Sequence, residues 1–176
     1  MDTTNFFKEH FDKLQLKNGS SGLEAIRQKA FRSFNEKGIP AARHEEWKYT
    51  RIGSLFNIEY DFPLQAVDIS EEDLKAVRLP GYEAANELVF VNGIFSPAHS
   101  TVRSADLIVL PLGEAAKGEY SQIVETHLGH SSNYLKDGIN ALNTAFVHGG
   151  VFIHVKKGKI TQHPVYIYHI SDARSA

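Results

Sequence analysis

The sequence predicts an α+β chain, with helices first and strands afterwards. Apolar residues recur at helical spacing near the start, at Phe7, Phe11 and Leu14. Beyond Leu79-Pro80-Gly81 the pattern changes to short apolar runs such as Leu88-Val89-Phe90-Val91. Asn92-Gly93, a strong type I′ turn signal, follows directly. Charge shifts with the pattern: residues 1–80 hold 12 Lys/Arg and 13 Asp/Glu, whereas residues 81–176 hold 7 and 8. The first part is expected to be mostly solvated helical surface, and the second to bury more of itself.

The elements follow in order. The Phe7, Phe11, Leu14 face marks a first helix, ended by Lys17-Asn18-Gly19-Ser20. Ser21-Gly22-Leu23-Glu24 reads as a capping box, in which the serine hydroxyl and the glutamate satisfy backbone N–H groups reciprocally. Leu23, Ile26, Ala30 and Phe34 then line one face of a second helix. Gly38 suits its C-terminal cap and Pro40 stops continuation. These two helices are expected to form a hairpin. Residues 43–56 read as a short helix or turn, and Asp61-Phe62-Pro63 as a break. Ser70-Glu71-Glu72-Asp73 opens another short helix, its acids favourably near the positive N-terminal end.

Strands are expected at Glu87–Val91, from Ile94 onward, and at Leu107–Leu110. Helical spacing returns at Tyr120, Ile123, Val124 and His127, ended by Gly129. A last helix carries Ile139, Leu142 and Phe146 up to Gly149-Gly150. Val151–Val155 and Val165–Ile170 are β-rich, with large apolar residues on both faces. A lone two-stranded unit cannot bury such surface. Further sequence or another chain is therefore expected to cover it, self-association through strand edges included, and Ala176 is expected to be the end of a piece. The resulting divisions are 1–80, helical; 81–148, mixed strand and helix; and 149–176, strands.

Composition narrows the function classes. The chain has 176 residues, 42% of them hydrophobic, which suits one compact domain or two small ones. The net charge of −2 argues against a whole-surface nucleic-acid binder. Zero cysteine removes disulfides, thiolate metal sites and catalytic thiols from this segment, and fits a reducing compartment. The start, Met1-Asp2-Thr3-Thr4, lacks a basic region leading into an apolar stretch. The apolar runs are far shorter than the roughly 20 residues of a spanning helix. A cytoplasmic protein without membrane insertion is expected.

Candidate chemistry is sparse. The nine histidines are His10, His44, His99, His127, His130, His148, His154, His163 and His169. Only His127 and His130 have close helical spacing, and Gly129 interrupts them, so no metal site is assigned. His44-Glu45-Glu46 could supply an acid or base, but a solvated face paired locally with Arg43 and Lys48 explains it better. Gly158-Lys159-Ile160 lacks the hydroxyl residue and the first glycine of a phosphate-binding loop. His154 and His169 lie on strands and could line a shared face. Trp47 and Tyr49 offer a docking surface, although large aromatics more often pack inward, here beneath the helical hairpin.

Gly38-Ile39-Pro40 followed by Arg43-His44-Glu45-Glu46-Trp47-Lys48-Tyr49-Thr50 resembles the N-terminal signature of the SufD family, approximately G-[IL]-P-x-x-[RK]-x-E-x-W-[KR]-Y-T. Three further matches follow in order: Val91-Asn92-Gly93-x-Phe95, Leu142-Asn143-Thr144-Ala145-Phe146 and His163-Pro164-Val165-Tyr166-Ile167. The tryptophan motif also separates this family from its paralogue, SufB. The resemblance implies a component of the SUF iron–sulfur cluster assembly machinery, longer than this chain, with a helical N-terminal region followed by a right-handed parallel β-helix. Residues 149–176 would then be the first β-helix strands. It further implies a non-enzymatic scaffold subunit that acts with SufB and with SufC, an ABC-type ATPase. No catalytic, cofactor or metal residue carries over; Arg43, Glu46, Trp47 and Tyr49 match the signature with a structural role. Iron or cluster ligands would come from outside this cysteine-free segment. Competing readings are a carbohydrate-acting β-helix enzyme, opposed by the lack of paired acids on the strands, and a generic protein-interaction domain.

Overall fold

The computed structural model describes residues 3–18, 22–58, 67–130, 133 and 135–172. In chain order the elements are α1 (Thr3–Asn18), α2 (Glu24–Lys37), α3 (Glu71–Val77), β1 (Asn86–Val91), β2 (Ile94–Thr101), β3 (Leu107–Pro111), α4 (Leu112–Ala115), α5 (Ser121–His127), α6 (Gly138–Ala145), β4 (Val151–Val155) and β5 (Val165–Ile170). Short 3-10 turns occupy Glu45–Trp47, Gly53–Asn57 and Tyr82–Ala84. They fall into two compact units, Met1–Phe62 with Ala116–Val147, and Pro63–Ala115 with His148–Ala176. The change of pattern near residue 80 therefore lies inside the second unit, because the chain leaves the first unit and later returns to it.

The first unit is helical. Phe7 and Phe11 of α1 are buried against Ala30, Phe31 and Phe34 of α2 and Ala141 and Ala145 of α6. Phe11 stacks on Phe31 with ring centroids 4.1 Å apart. The expected packing of α1 on α2 is present, but the backbone lying closest to α2 is α6. Small residues allow that approach: Gly138, Ala141, Thr144 and Ala145 form the buried face of α6. Leu142 and Phe146 are only partly buried beside it. A Cβ at Gly138 would collide with the Gly38 carbonyl oxygen. Gly38 itself caps α2 at φ 66°, donating its N–H to the Phe34 carbonyl at 2.7 Å. The capping box expected at Ser21 rests on a residue outside those described, as does the Asp61-Phe62-Pro63 break. Leu23 occupies the N-cap of α2, without a side-chain cap.

The second unit is built on β1, whose six residues are all buried. Asn92 and Gly93 take φ values of 48° and 80°, the positive pair a type I′ turn requires, and return the chain as antiparallel β2. On its other edge β1 pairs in parallel with β5, from Asn86 opposite Val165 to Val91 opposite Ile170. One face packs Val89 and Val91 with Ile69, Leu74 and Tyr168. The other packs Leu88 and Phe90 with Phe95, and with Val109 and Val151 of the β3–β4 pair. A strand covered on both faces reads as an unbroken apolar run. α3 starts on a complete capping box, with Ser70 accepting from the Asp73 N–H and Asp73 accepting from the Ser70 N–H.

Asn86 ties this unit together. Its side-chain oxygen accepts from the Arg103 and Ser104 N–H groups at 2.8 and 2.9 Å. Its amide donates to the Ser104 hydroxyl and to the His163 carbonyl at 3.1 and 3.0 Å. The neighbouring Glu87 is buried and held by Arg78 Nε at 3.0 Å. Burial alone would lower the Arg78 pKa, but Glu87, with Glu71 adding to it, raises it.

The expectation that β4 and β5 share one unfinished unit is corrected. They do not pair with each other: β4 joins β3 and β5 joins β1. No β-helix coil is formed among the described residues, which show an α+β arrangement of helices followed by two small sheets. No residue of β4 is buried and only Tyr168 of β5 is, while Ile153, Val155 and Ile167 are exposed.

Candidate functional site

The signature segment from Gly38 to Thr50 is held at three points within the helical unit. Ile39 packs against the phenylalanine core and Pro40 is buried. The Gly38 carbonyl abuts Gly138, at the start of α6. Glu46 Oε1 lies 2.7 Å from Lys136 Nζ, just before the same helix. Its hydrogen bond and charge raise the Lys136 pKa above the ordinary amine value. Farther along, Phe56 returns to the core, 5.9 Å from Phe7.

Between these anchors the backbone satisfies itself locally. His44 N–H donates to Ala41, Trp47 to His44 and Thr50 to Trp47, each across three residues. Such turns need no tertiary partner, so they can hold side chains on the surface. Neither 3-10 turn in this stretch contributes a buried residue. Trp47 is half-buried and Tyr49 is 89% exposed, with Lys48 Nζ 5.5 Å from its ring centroid. Leu55 and Ile58 are also exposed. The inward packing expected for this aromatic pair is thus corrected for Tyr49. The adjoining core is built of phenylalanines from α1 and α2, with Phe56 and Phe146 packed against it. Local charge pairing holds only in part: Glu45 meets Lys48 at 3.9 Å, Glu46 reaches Lys136 instead, and Arg43 makes no ion pair among the described residues.

The other candidates stay apart. Among the described residues no group of three or more His, Cys, Asp or Glu side chains could hold a metal ion. Gly129, at φ 80°, ends the helix between His127 and His130. His154 stacks near Phe152 in one sheet, while His169 stacks on Phe90 in the other at 4.8 Å. Lys159, in the turn that lacked a phosphate-loop pattern, lies 3.4 Å from Asp106.

Two polar placements had no clear sequence signal. Arg27 is 1% exposed on the buried face of α2 and donates from Nε to the Val147 carbonyl at 2.7 Å. Desolvation lowers its pKa, with Glu24 opposing that shift. Its place four residues after Leu23 and three before Ala30 puts it on the apolar stripe, which was the available hint. His99 receives or gives hydrogen bonds on both ring nitrogens, to the Ser96 hydroxyl at 2.8 Å and the Ile69 carbonyl at 3.0 Å. Its Nε2 also lies 3.4 Å from Asp68. Ser96 is buried, so this serine–histidine–carboxylate arrangement joins β2 to the chain before α3 without offering a nucleophile to solvent.

The geometry defines an α+β module whose signature segment is exposed at Tyr49 and anchored through Ile39, Pro40 and Glu46. The SufBD protein N-terminal region matches residues 2–167, and the chain belongs to that family. It is also similar to a protein described as "Iron-sulfur cluster assembly protein SufD" from Escherichia coli (strain K12), at 26% identity over 139 residues. That match covers 76% of this chain but 28% of the relative's length. No helix among the described residues is long and apolar enough to cross a membrane.

Proposed function

We propose that this chain is the N-terminal part of a SufD-type scaffold subunit in the SUF iron–sulfur cluster assembly system. The observation that carries the reading is the family match across residues 2–167. Similarity to the Escherichia coli SufD favours the SufD side of the family over SufB, as does the tryptophan-centred segment Arg43–Thr50. The subunit acts in the cytoplasm with a SufB-type partner and a SufC-type ABC ATPase, and is not itself an enzyme. Iron or cluster is cargo of the assembled complex.

Affinity capture of the intact protein from its own cell is the direct test. Recovery of the ATPase together with a homologous partner is expected. Recovery of neither would overturn the proposal. The exposed Tyr49, Leu55 and Ile58 support a contact role for the N-terminal part itself.

A further inference from the structure

The turn between β1 and β2 holds an asparagine with two structural tasks. Asn92 N–H donates to the Ile170 carbonyl at 2.9 Å, continuing the pairing of β1 with β5. The backbone then turns back through Gly93 into β2, whereas the chain of β5 runs on to Asp172. Here the Asn92 side-chain amide supplies the next rung of the ladder. Its Oδ1 accepts from the Asp172 N–H at 2.8 Å, and its Nδ2 donates to the Asp172 carbonyl at 3.0 Å. A carboxamide can accept and donate at once, whereas a carboxylate only accepts.

The residue after Asn92 makes this amide chemically vulnerable. Glycine has no Cβ, so its backbone nitrogen is open to the preceding side chain. Gly93 is exposed, and a Cβ added there would meet nothing within 4 Å. Its N–H has no hydrogen-bond partner among the described residues. That nitrogen can attack Asn92 Cγ. The new C–N bond closes a cyclic imide, and ammonia leaves with the proton released from the Gly93 nitrogen. Water then opens the imide, giving an aspartyl residue or its isomer linked through the side chain. Attack requires Cγ to swing onto the Gly93 nitrogen and the amide to lose its planarity. Both bonds to Asp172 must therefore break first.

We propose that Asn92-Gly93 is a deamidation site of this chain, guarded by the Asp172 backbone and exposed to reaction when the segment leaving β5 lets go. The change runs one way. A carboxylate at position 92 would set an oxygen against the Asp172 carbonyl where Nδ2 now donates. The isomer would add a methylene to the backbone of a tight turn whose geometry sets the β1–β2 register. Neither product can rebuild the paired contact with Asp172, so a transient release at the end of β5 becomes permanent. The inference uses residues 92, 93 and 172 alone, and stands or falls independently of the assembly role.

The test measures deamidation at Asn92 in the 176-residue chain by peptide mapping and mass spectrometry, at neutral pH, folded and in urea. The second Asn-Gly pair of the sequence, Asn18-Gly19, calibrates the rate in urea. The folded protein is expected to react at Asn92 more than about tenfold more slowly than in urea, because two hydrogen bonds must open. Asp172→Pro keeps the carbonyl but removes the N–H, and should speed the reaction of the folded protein about fivefold. In the unaltered chain the Asp172 N–H should be protected from hydrogen exchange. Equal rates in the folded protein and in urea would overturn the proposal, as would a folded Asp172→Pro variant that reacts no faster. If that variant does not fold, exchange at Asp172 decides. A protected N–H together with slow reaction at Asn92 supports the guard, and an N–H that exchanges as freely as in urea overturns it.

Discussion

A buried guanidinium must be held by acceptors, and Arg27 has the Val147 carbonyl at 2.7 Å beyond the end of α6. A cation at that end also opposes the negative end of the helix dipole. Removing the side chain would leave the carbonyl without this donor and open space in the helical core. Arg27→Ala is expected to cost about 3 kcal/mol, read as a lower urea midpoint at unchanged slope. An unchanged midpoint would show that the arginine contributes nothing net. Tyr49 presents the opposite case. Its ring is exposed and its one described contact is with Lys48. Tyr49→Ala is expected to change stability by less than about 0.5 kcal/mol, whereas Phe34→Ala should cost about 3 to 5. A large loss on Tyr49→Ala would restore a purely structural role for the signature. Periodicity made Phe7, Phe11 and Phe34 legible because burial follows helical spacing. It left Arg27 and Tyr49 unread, since Arg27 is buried while donating to a carbonyl 120 residues away and Tyr49 sits on a locally hydrogen-bonded turn at the surface.

At the scale of elements, the decisive contact is the approach of α6 to α2. Its buried face is glycine, alanine and threonine, which an apolar-residue reading passes over in favour of Ile139, Leu142 and Phe146. In an open helix Gly→Ala gains up to about 1 kcal/mol. At Gly138 the added methyl would meet the Gly38 carbonyl oxygen, so the sign reverses. Gly138→Ala is expected to destabilise by about 1 to 3 kcal/mol and lower the melting temperature. Gly113→Ala in α4, where an added methyl meets nothing within 4 Å, should leave it unchanged or higher. Equal behaviour of both variants would argue against close α2–α6 packing. The strands show a related limit. Their positions were legible from β-rich runs and the Asn92-Gly93 turn. Their partners were not, because pairing β1 with β5 joins residues nearly eighty positions apart and leaves no local pattern.

The whole chain is interleaved: each compact unit takes one early and one later stretch of sequence. The composition shift near residue 80 records a change of secondary structure, which the sequence displays, and not a closed fold, which depends on where later elements return. This has a consequence for a fragment of residues 1–80. It would contain α1 and α2 but lack α6, and so lose Ala141, Ala145, Leu142 and Phe146 from the phenylalanine core. It would also carry α3 without the strands that bury Leu74. Isolated helices of this length are marginal in water, and most of their stability comes from packing an apolar face. The fragment is expected to show helical far-ultraviolet dichroism with a broad, non-cooperative thermal transition and binding of a hydrophobic dye, while residues 1–176 unfold cooperatively. A sharp transition for residues 1–80, without dye binding, would mean that α1 and α2 form a self-sufficient hairpin, with α6 only an added layer upon it.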